Sequence, residues 1–171
     1  MNLAMIILAL VTLQRLAELV VARRNTAKLI AHGAIEVGAG HYPLVVILHA
    51  AWLAALWVFG RNQAVNLEAF AVFAMLQGLR LWILATLGPR WTTRIIVVPG
   101  APLVSSGPYR YFSHPNYAVV AAEIAVLPLA LHLPWVALIF TILNAAALVI
   151  RIRAETHALS QASSPHAGAI P

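Results

Sequence analysis

Cysteine is absent from this chain and charge is scarce. Without thiols there can be no disulfide, zinc–thiolate site, iron–sulfur cluster or thiolate nucleophile. Charged residues are 9% of the sequence, against roughly 25% in an average soluble domain. Hydrophobic residues fill the space at 62%, and the mean hydropathy is +0.86. A surface so poor in charge does not stay dispersed in water, so a bilayer is the expected solvent. Acidic residues are the rarer sign, 5 against 11 Lys and Arg, leaving a net charge of +6. That balance does not point to nucleic acid, because the basic residues sit between apolar runs. The retention of Lys and Arg on the cytoplasmic side explains them more simply. No metal is expected either. The 171 residues allow one compact bundle, and no internal repeat is visible.

A helix crosses the hydrocarbon core with about 20 apolar residues. Five runs approach that length, at residues 3–21, 43–59, 67–87, 117–133 and 134–150. The first is interrupted by Gln14, Arg15 and Glu18, so four spans with an interfacial first helix is the alternative count. Met1-Asn2-Leu3-Ala4 lacks the charged start of a secretory signal, which favours keeping the first run as a span. The last two runs are separated only by His132-Leu133-Pro134, enough for a tight helical hairpin. The fold class expected is an all-α integral membrane protein of about five helices with a C-terminal hairpin.

Basic residues set the orientation. Arg23, Arg24 and Lys28 follow the first run, Arg90, Arg94 and Arg110 the third, and Arg151 and Arg153 the fifth. All of these fall on one side, whereas Arg61 falls on the other. The expected arrangement places the N-terminus outside and the C-terminus in the cytoplasm. Two cytoplasmic segments then stand out. Residues 25–42 read as a polar, glycine-containing loop. Residues 88–116 hold a short β-rich run, Thr92 to Val98, ended by Pro99-Gly100, and a second turn at Ser105-Ser106-Gly107-Pro108. A structured loop of this length is more often functional than idle. The tail 160–171 is small, polar and proline-bearing and reads as disordered.

Ionisable groups within spans are costly and by default mark a site. At a rise of about 1.5 Å per residue, Arg80 lies roughly 10 Å from the cytoplasmic end of its span and Glu123 roughly 12 Å. Arg15, Glu18, His49 and Asn144 fall in the same inner half, with Gln14 and Gln77. The sole charge in an outer half is Glu68, at the extreme end of its span. Two readings stand open. Arg15 with Glu18 and Arg80 with Glu123 can be structural ion pairs, or the whole layer can line a polar cavity serving a ligand. For His49 alone, a hydrogen-bonded core histidine is the simpler reading.

The most specific string is Gly107-Pro108-Tyr109-Arg110-Tyr111-Phe112-Ser113-His114-Pro115-Asn116-Tyr117. Pro115 suits the first turn of the fourth helix, whose free N–H groups can hold an anion. The aromatic faces suit a purine, or a sulfonium by cation–π attraction, although an interfacial aromatic belt would look alike. This string, opening a short hairpin and followed by Arg151-x-x-x-Glu155, resembles the isoprenylcysteine carboxyl methyltransferase family. The likeness is fullest from about Trp91 to Leu159. Gln14-Arg15-Leu16-Ala17-Glu18 and Ala22-Arg23-Arg24-Asn25 resemble a bacterial branch of it, some of whose members are associated with methylating alkylpyrone or similar polyketide lipids.

The resemblance implies an S-adenosylmethionine-dependent O-methyltransferase in a single domain, residues 1–159, with the cofactor held by about 88–159. Tyr109, His114, Pro115, Asn116 and Tyr117 would line the cofactor pocket, and Arg151 and Glu155 would close it. The chain departs from the family in having Ser113 where Arg usually precedes His-Pro, and Thr156 where a second Glu often follows. The acceptor implied is a lipophilic small molecule or lipidated group bearing a carboxyl, enol or phenol oxygen. From depth and charge, Arg80 or Arg151 would hold it, and Glu123 would act as base or counter-ion. An NADPH-dependent membrane reductase, which shares an Arg-His-Pro-x-Tyr-like segment, and a non-enzymatic carrier or assembly protein are the alternatives.

The orientation is directly testable in a cysteine-free chain. In intact cells, Arg61→Cys is expected to react with an impermeant maleimide while Arg23→Cys and Arg94→Cys are protected. External labelling at position 94 would reverse the topology.

Overall fold

The computed structural model describes residues 2–162 apart from 103, with 157–162 as backbone only. Five helices follow in chain order: α1 (Leu3–Ala31), α2 (Tyr42–Ala55), α3 (Leu67–Leu87), α4 (Pro115–Ala130) and α5 (Pro134–Ala162). Side-chain oxygens of Asn2 and Asn66 cap α1 and α3 by accepting from Met5 N (2.9 Å) and Ala69 N (3.0 Å). Proline opens α4 and α5, where its missing N–H costs no bond. The final turn of α2 widens to π-type bonding over Leu56–Gly60. Gly60 packs closely there: a Cβ would sit 2.9 Å from Leu131 Cδ1, so a larger residue must displace that side chain.

Four of these elements are long and apolar enough to cross a membrane: Leu3–Ala31, Ala39–Gly60, Leu67–Arg90 and Pro134–Thr156. The fifth, α4, is shorter at 16 residues. Lipid-facing positions such as Leu10, Leu13, Ile47, Met75, Leu81 and Leu138 are each more than 60% exposed, as expected where hydrocarbon replaces water. The chain is a multi-pass membrane protein whose membrane-crossing elements are helical.

Two expectations change in detail. The segment 25–42 is not all loop, because α1 continues to Ala31 and ends only at Gly33, whose φ of 86° no continuing helix uses. Nothing between Asn25 and Ala31 breaks a helix, so polarity there marks the exit from lipid and not the end of the element. The rest of the segment forms β1 (Ile35–Val37), which pairs antiparallel with β2 (Ile95–Val97) in the register Ile35↔Val97. The β-rich run therefore finds its partner in the other loop. Of the tail 160–171, α5 takes in residues up to Ala162, and 163–171 lie outside the described residues.

The bundle is divided by depth. At the end away from the ribbon, Leu8, Trp52, Leu56, Ile124, Leu127, Leu131 and Val136 form a closed apolar core. Trp52 Nε1 donates to Ile124 O (3.2 Å) within it. The α4–α5 hairpin closes this end. Leu133 N donates back to Pro128 O (2.9 Å) and His132 N to Leu129 O (3.1 Å), while buried Leu133 packs inward. This is a helix end that demands a left-handed residue, and His132 supplies it at φ 54°.

His132 is exposed, so glycine there removes strain without opening a cavity. His132→Gly is expected to raise stability by about 0.5–1 kcal/mol in a detergent unfolding titration. A lowered midpoint would show that the imidazole contributes more than its backbone strain costs.

Candidate active site

At the ribbon end the interior turns polar. Successive turns of α1 present Gln14, Arg15 and Glu18, α3 presents Gln77 and Arg80, and α4 presents Glu123. Arg80 grips Glu18 with two parallel bonds, Nε to Oε1 (2.6 Å) and Nη2 to Oε2, and gives Nη1 to Glu123 Oε2 (3.0 Å). Arg15 donates Nη2 to Glu123 Oε2 (2.7 Å) and Nη1 to Glu18 Oε2 (3.2 Å). Gln77 fills the remaining Glu123 oxygen (2.8 Å), and Gln14 bridges Glu18 Oε1 (3.0 Å) to Gln77 Oε1 (2.8 Å). Two cations and two anions thus cancel inside three helices. Arg80 and Glu123 do touch, but the closest couplings run crosswise, Arg80 with Glu18 and Arg15 with Glu123.

A cavity of about 270 Å³ lies against this network, just below the roughly 300–1,000 Å³ typical of small-molecule sites. Arg15, Glu18 and Arg80 border it from below, His49 and Asn144 from α2 and α5, and Trp91, Thr92, Thr93, Asn116, Tyr117 and Arg151 from the loop end. Glu123 is fully buried beneath the network and does not reach the cavity wall. The apolar side is made by Leu16, Leu19, Val46, Ala50 and Leu53 of α1 and α2. Leu16 (55%) and Val46 (39%) are exposed, so this side opens outward between the two helices. Those helices meet at the far end, where Trp57 Nε1 donates to Thr12 Oγ1 (3.0 Å).

The loop end is built by the motif residues. His114 precedes α4, and its ring stacks on Tyr117 at 5.3 Å with a 13° interplanar angle. Tyr117 Oη donates to Glu155 Oε2 (2.6 Å) and accepts from Arg151 Nε (3.0 Å). Arg151 and Glu155 lie one turn apart on α5 and share a face. The second arm of Arg151 donates Nη2 to Thr93 O (2.7 Å), tying α5 to the loop before β2. His114 Nδ1 stands 3.8 Å from Glu155 Oε2, an ion pair whenever the ring is protonated. Burial, with the Glu155 charge adding to it, pushes the Tyr109 phenol up to about 12, so it stays a neutral donor. The ribbon is fixed to the same wall. Arg94 binds both Glu36 oxygens (2.7 and 2.8 Å) and lies 4.5 Å from the Tyr42 ring centre, and Tyr42 Oη meets Thr93 Oγ1 (3.0 Å). Asn25 Nδ2 reaches Gly88 O and Trp91 O, holding the end of α1 to the loop.

Of the residues singled out from sequence, Arg15, Glu18, His49, Arg80, Asn116, Tyr117, Asn144 and Arg151 border the cavity. His114 and Glu155 join Tyr117 and Arg151 in one cluster, with Tyr109 near Glu155, but none of these three lines the cavity itself. Pro115 is buried and faces an apolar groove with Leu76, Leu79 and Tyr111. Trp91 and Thr93 were not expected as site residues. Their signal was position alone, at the mouth of a structured loop. Among the described residues, Arg15 Nε, Trp91 Nε1, Asn116 Oδ1 and Thr141 Oγ1 are buried without a partner. The first three belong to residues that border the cavity and the fourth does not.

Residues 69–161 match the model of the isoprenylcysteine carboxyl methyltransferase (ICMT) family. The chain is 41% identical over 163 residues to YpbQ, an uncharacterized protein of Bacillus subtilis, covering 92% of this chain and 97% of that one. It is 27% identical over 154 residues to an uncharacterized protein of Haemophilus influenzae, covering 85% and 88%. No solved structure matches with significance.

Double-mutant cycles test the network. Removing one member strands a buried charge at a cost of about 3–5 kcal/mol, and removing a bonded pair costs less than the sum. The Arg80→Met/Glu18→Leu pair is expected to show stronger coupling than Arg80→Met/Glu123→Leu in detergent unfolding. Additive losses in both cycles would show that these contacts do not carry the energy assigned to them.

Proposed function

The chain belongs to the isoprenylcysteine carboxyl methyltransferase family, and from that premise we propose that it transfers a methyl group from S-adenosylmethionine to an oxygen of a lipophilic acceptor. The observation that carries this reading is a cavity whose loop end is built by Asn116, Tyr117 and Arg151, all within the segment that matches the family. There the Arg151 guanidinium suits a carboxylate, the Tyr117 ring offers a flat face to a purine or a sulfonium, and the Asn116 amide can both donate and accept. A ligand carrying a carboxylate, an ammonium and a purine matches that mixed set.

In this reading Asn116, Tyr117 and Arg151 hold the donor at the loop end, with Tyr109, His114, Pro115 and Glu155 setting their positions around it. When bound, S-adenosylmethionine supplies a methyl group on a sulfonium, open to in-line displacement by an oxygen. The protein contributes alignment, which is worth several kcal/mol in such a displacement. Tyr42, Thr92 and Thr93 wall the loop end from bulk water. Arg80 lies at the deep end, where it favours negative charge developing on an acceptor oxygen, and Glu123 serves as its counter-ion. The acceptor's chain leaves between α1 and α2 along Leu16, Val46 and Ala50. Its reacting group is a carboxyl, enol or phenol oxygen. The loop end faces the cytoplasm of a bacterial cell in this arrangement, with the N-terminus outside.

Binding decides between the methyl-transfer and reductase readings. S-adenosylhomocysteine is expected to raise the melting temperature of the purified protein, and NADPH to leave it unchanged. In calorimetry, Tyr117→Phe and His114→Ala are expected to weaken S-adenosylhomocysteine roughly ten-fold or more, since each loses a charge-linked contact. Stabilisation by NADPH alone would overturn the assignment. Unchanged affinity in both variants would remove these residues from the pocket.

A further inference from the structure

Resting on the methyl-transfer reading, we infer that His49 is a catalytic residue, whose Nε2 takes the proton from a hydroxyl acceptor as that oxygen is methylated. His49 sits on α2 and borders the cavity, as do Arg80 of α3 and Asn144 of α5. Its Nδ1 is 2.8 Å from Val45 O, one turn earlier. A carbonyl can only accept, so Nδ1 carries the hydrogen and donates it. In the neutral ring the lone pair then belongs to Nε2, and no described group is hydrogen-bonded to that atom. The tautomer is fixed by the helix's own backbone, as a general base requires.

The rest of the cavity favours a hydroxyl over a carboxylate. An ionised carboxylate needs several cationic donors at once, and most arginine nitrogens on this wall already bond to protein groups, Arg15 Nε and Arg151 Nη1 being the exceptions. Arg80 spends Nε, Nη1 and Nη2 on Glu18 and Glu123, and Arg15 spends both terminal nitrogens on the same two residues. Arg151 gives Nε to Tyr117 and Nη2 to Thr93 O. A lone pair at Nε2 also repels a carboxylate and welcomes an O–H. A phenol or enol fits both conditions. It donates its hydrogen to Nε2 as the methyl bond forms, so its oxygen never carries a full negative charge; Arg15, Arg80 and Arg151, with Glu18, Tyr42 and Tyr117, are the other titratable groups on the wall. The balance closes. The O–H bond breaks with its proton passing to Nε2, the oxygen's electron pair forms the O–CH₃ bond, and the methyl–sulfur bond breaks with its pair staying on sulfur. The proton on Nε2 is later released to water.

The test uses the full-length protein in detergent with four probes: a long-chain alkylphenol, its O-methyl ether, a nitro-substituted alkylphenol that is ionised at the assay pH, and the fatty acid of equal length. Without methyl donor, the wild type is expected to bind the alkylphenol about five-fold more tightly than the ether, the effect of one hydrogen bond. His49→Ala should abolish that preference. His49→Gln should keep it, since its amide oxygen accepts a hydrogen bond but not a proton. With donor, both variants should lose roughly a hundred-fold in methylation of the alkylphenol and less than about ten-fold with the ionised analogue. Both should bind S-adenosylhomocysteine like the wild type, which shows that they fold. Equal losses on the two phenols, transfer retained by both variants, or wild-type methylation of the fatty acid in place of the phenols would each overturn the role of His49. A wild type that binds no S-adenosylhomocysteine would instead overturn the methyl-transfer reading on which this one rests.

Discussion

Two guanidinium groups and two carboxylates, held within hydrocarbon by three helices, must cancel one another or the bundle does not close. Taking one such charge out of water costs several kcal/mol, repaid only by good geometry and full hydrogen bonding. The carboxylates meet both: each oxygen of Glu18 and Glu123 has a donor, and the two glutamines fill what the arginines leave, while Arg15 Nε stays without a partner. The network fixes the rotation of α1, α3 and α4 about their axes, because a turn of any one would strand a charge. It also leaves α2 out. That omission lets α2 stand away from α1 along the cavity, with Trp57 and Thr12 joining them beyond it.

The opposite wall depends on a second constraint, the pairing of two loops that are far apart in sequence. The β1–β2 ribbon brings Arg94 to Glu36 and Tyr42 to Thr93, and Arg151 ties α5 to the same strand entry. The loop end of the cavity is thus assembled from α1, both loops, α4 and α5. A change at Asn25 or Glu36 acts on the site without touching a ligand. The protein is a membrane member of a methyltransferase family whose cavity has a rigid charged floor and a wall stitched from loops.

Much of this was legible in the residues. Helical rise alone put Arg80 and Glu123 at one depth, and they touch, because two antiparallel helices in lipid keep a common axis. Depth does not give rotation, however. The crosswise partners Arg80–Glu18 and Arg15–Glu123 could not be chosen over the neighbouring pairs without knowing which faces meet. Gln14 and Gln77 were visible as polar intrusions, but their function in filling carboxylate lone pairs is a property of three helices together. The strand at Thr92 to Val98 announced itself by β-branched residues, whereas three residues at Ile35 had too little pattern to betray their partner. His49 read as a hydrogen-bonded core histidine because it stands alone in an apolar run, and it does bond to Val45 O. That it also borders the cavity could not be seen, because space is not written in a sequence.

The shortness of α4 has a consequence for the lipid. Its 16 residues span about 24 Å, while the hydrocarbon core of a typical bilayer is about 30 Å thick. Its neighbours are long enough to set the thickness they prefer, so the mismatch falls locally, on the side where α4 faces the apolar groove of Trp82, Tyr111 and Phe112. There the membrane must dimple or the first turn of α4 must lie beneath the headgroups, at a cost of fractions of a kcal/mol per Å. Either way water and solute reach deeper at this helix than elsewhere. Bilayer thickness, set by acyl chain length and temperature, becomes a variable on which access to His114 and Tyr117 depends.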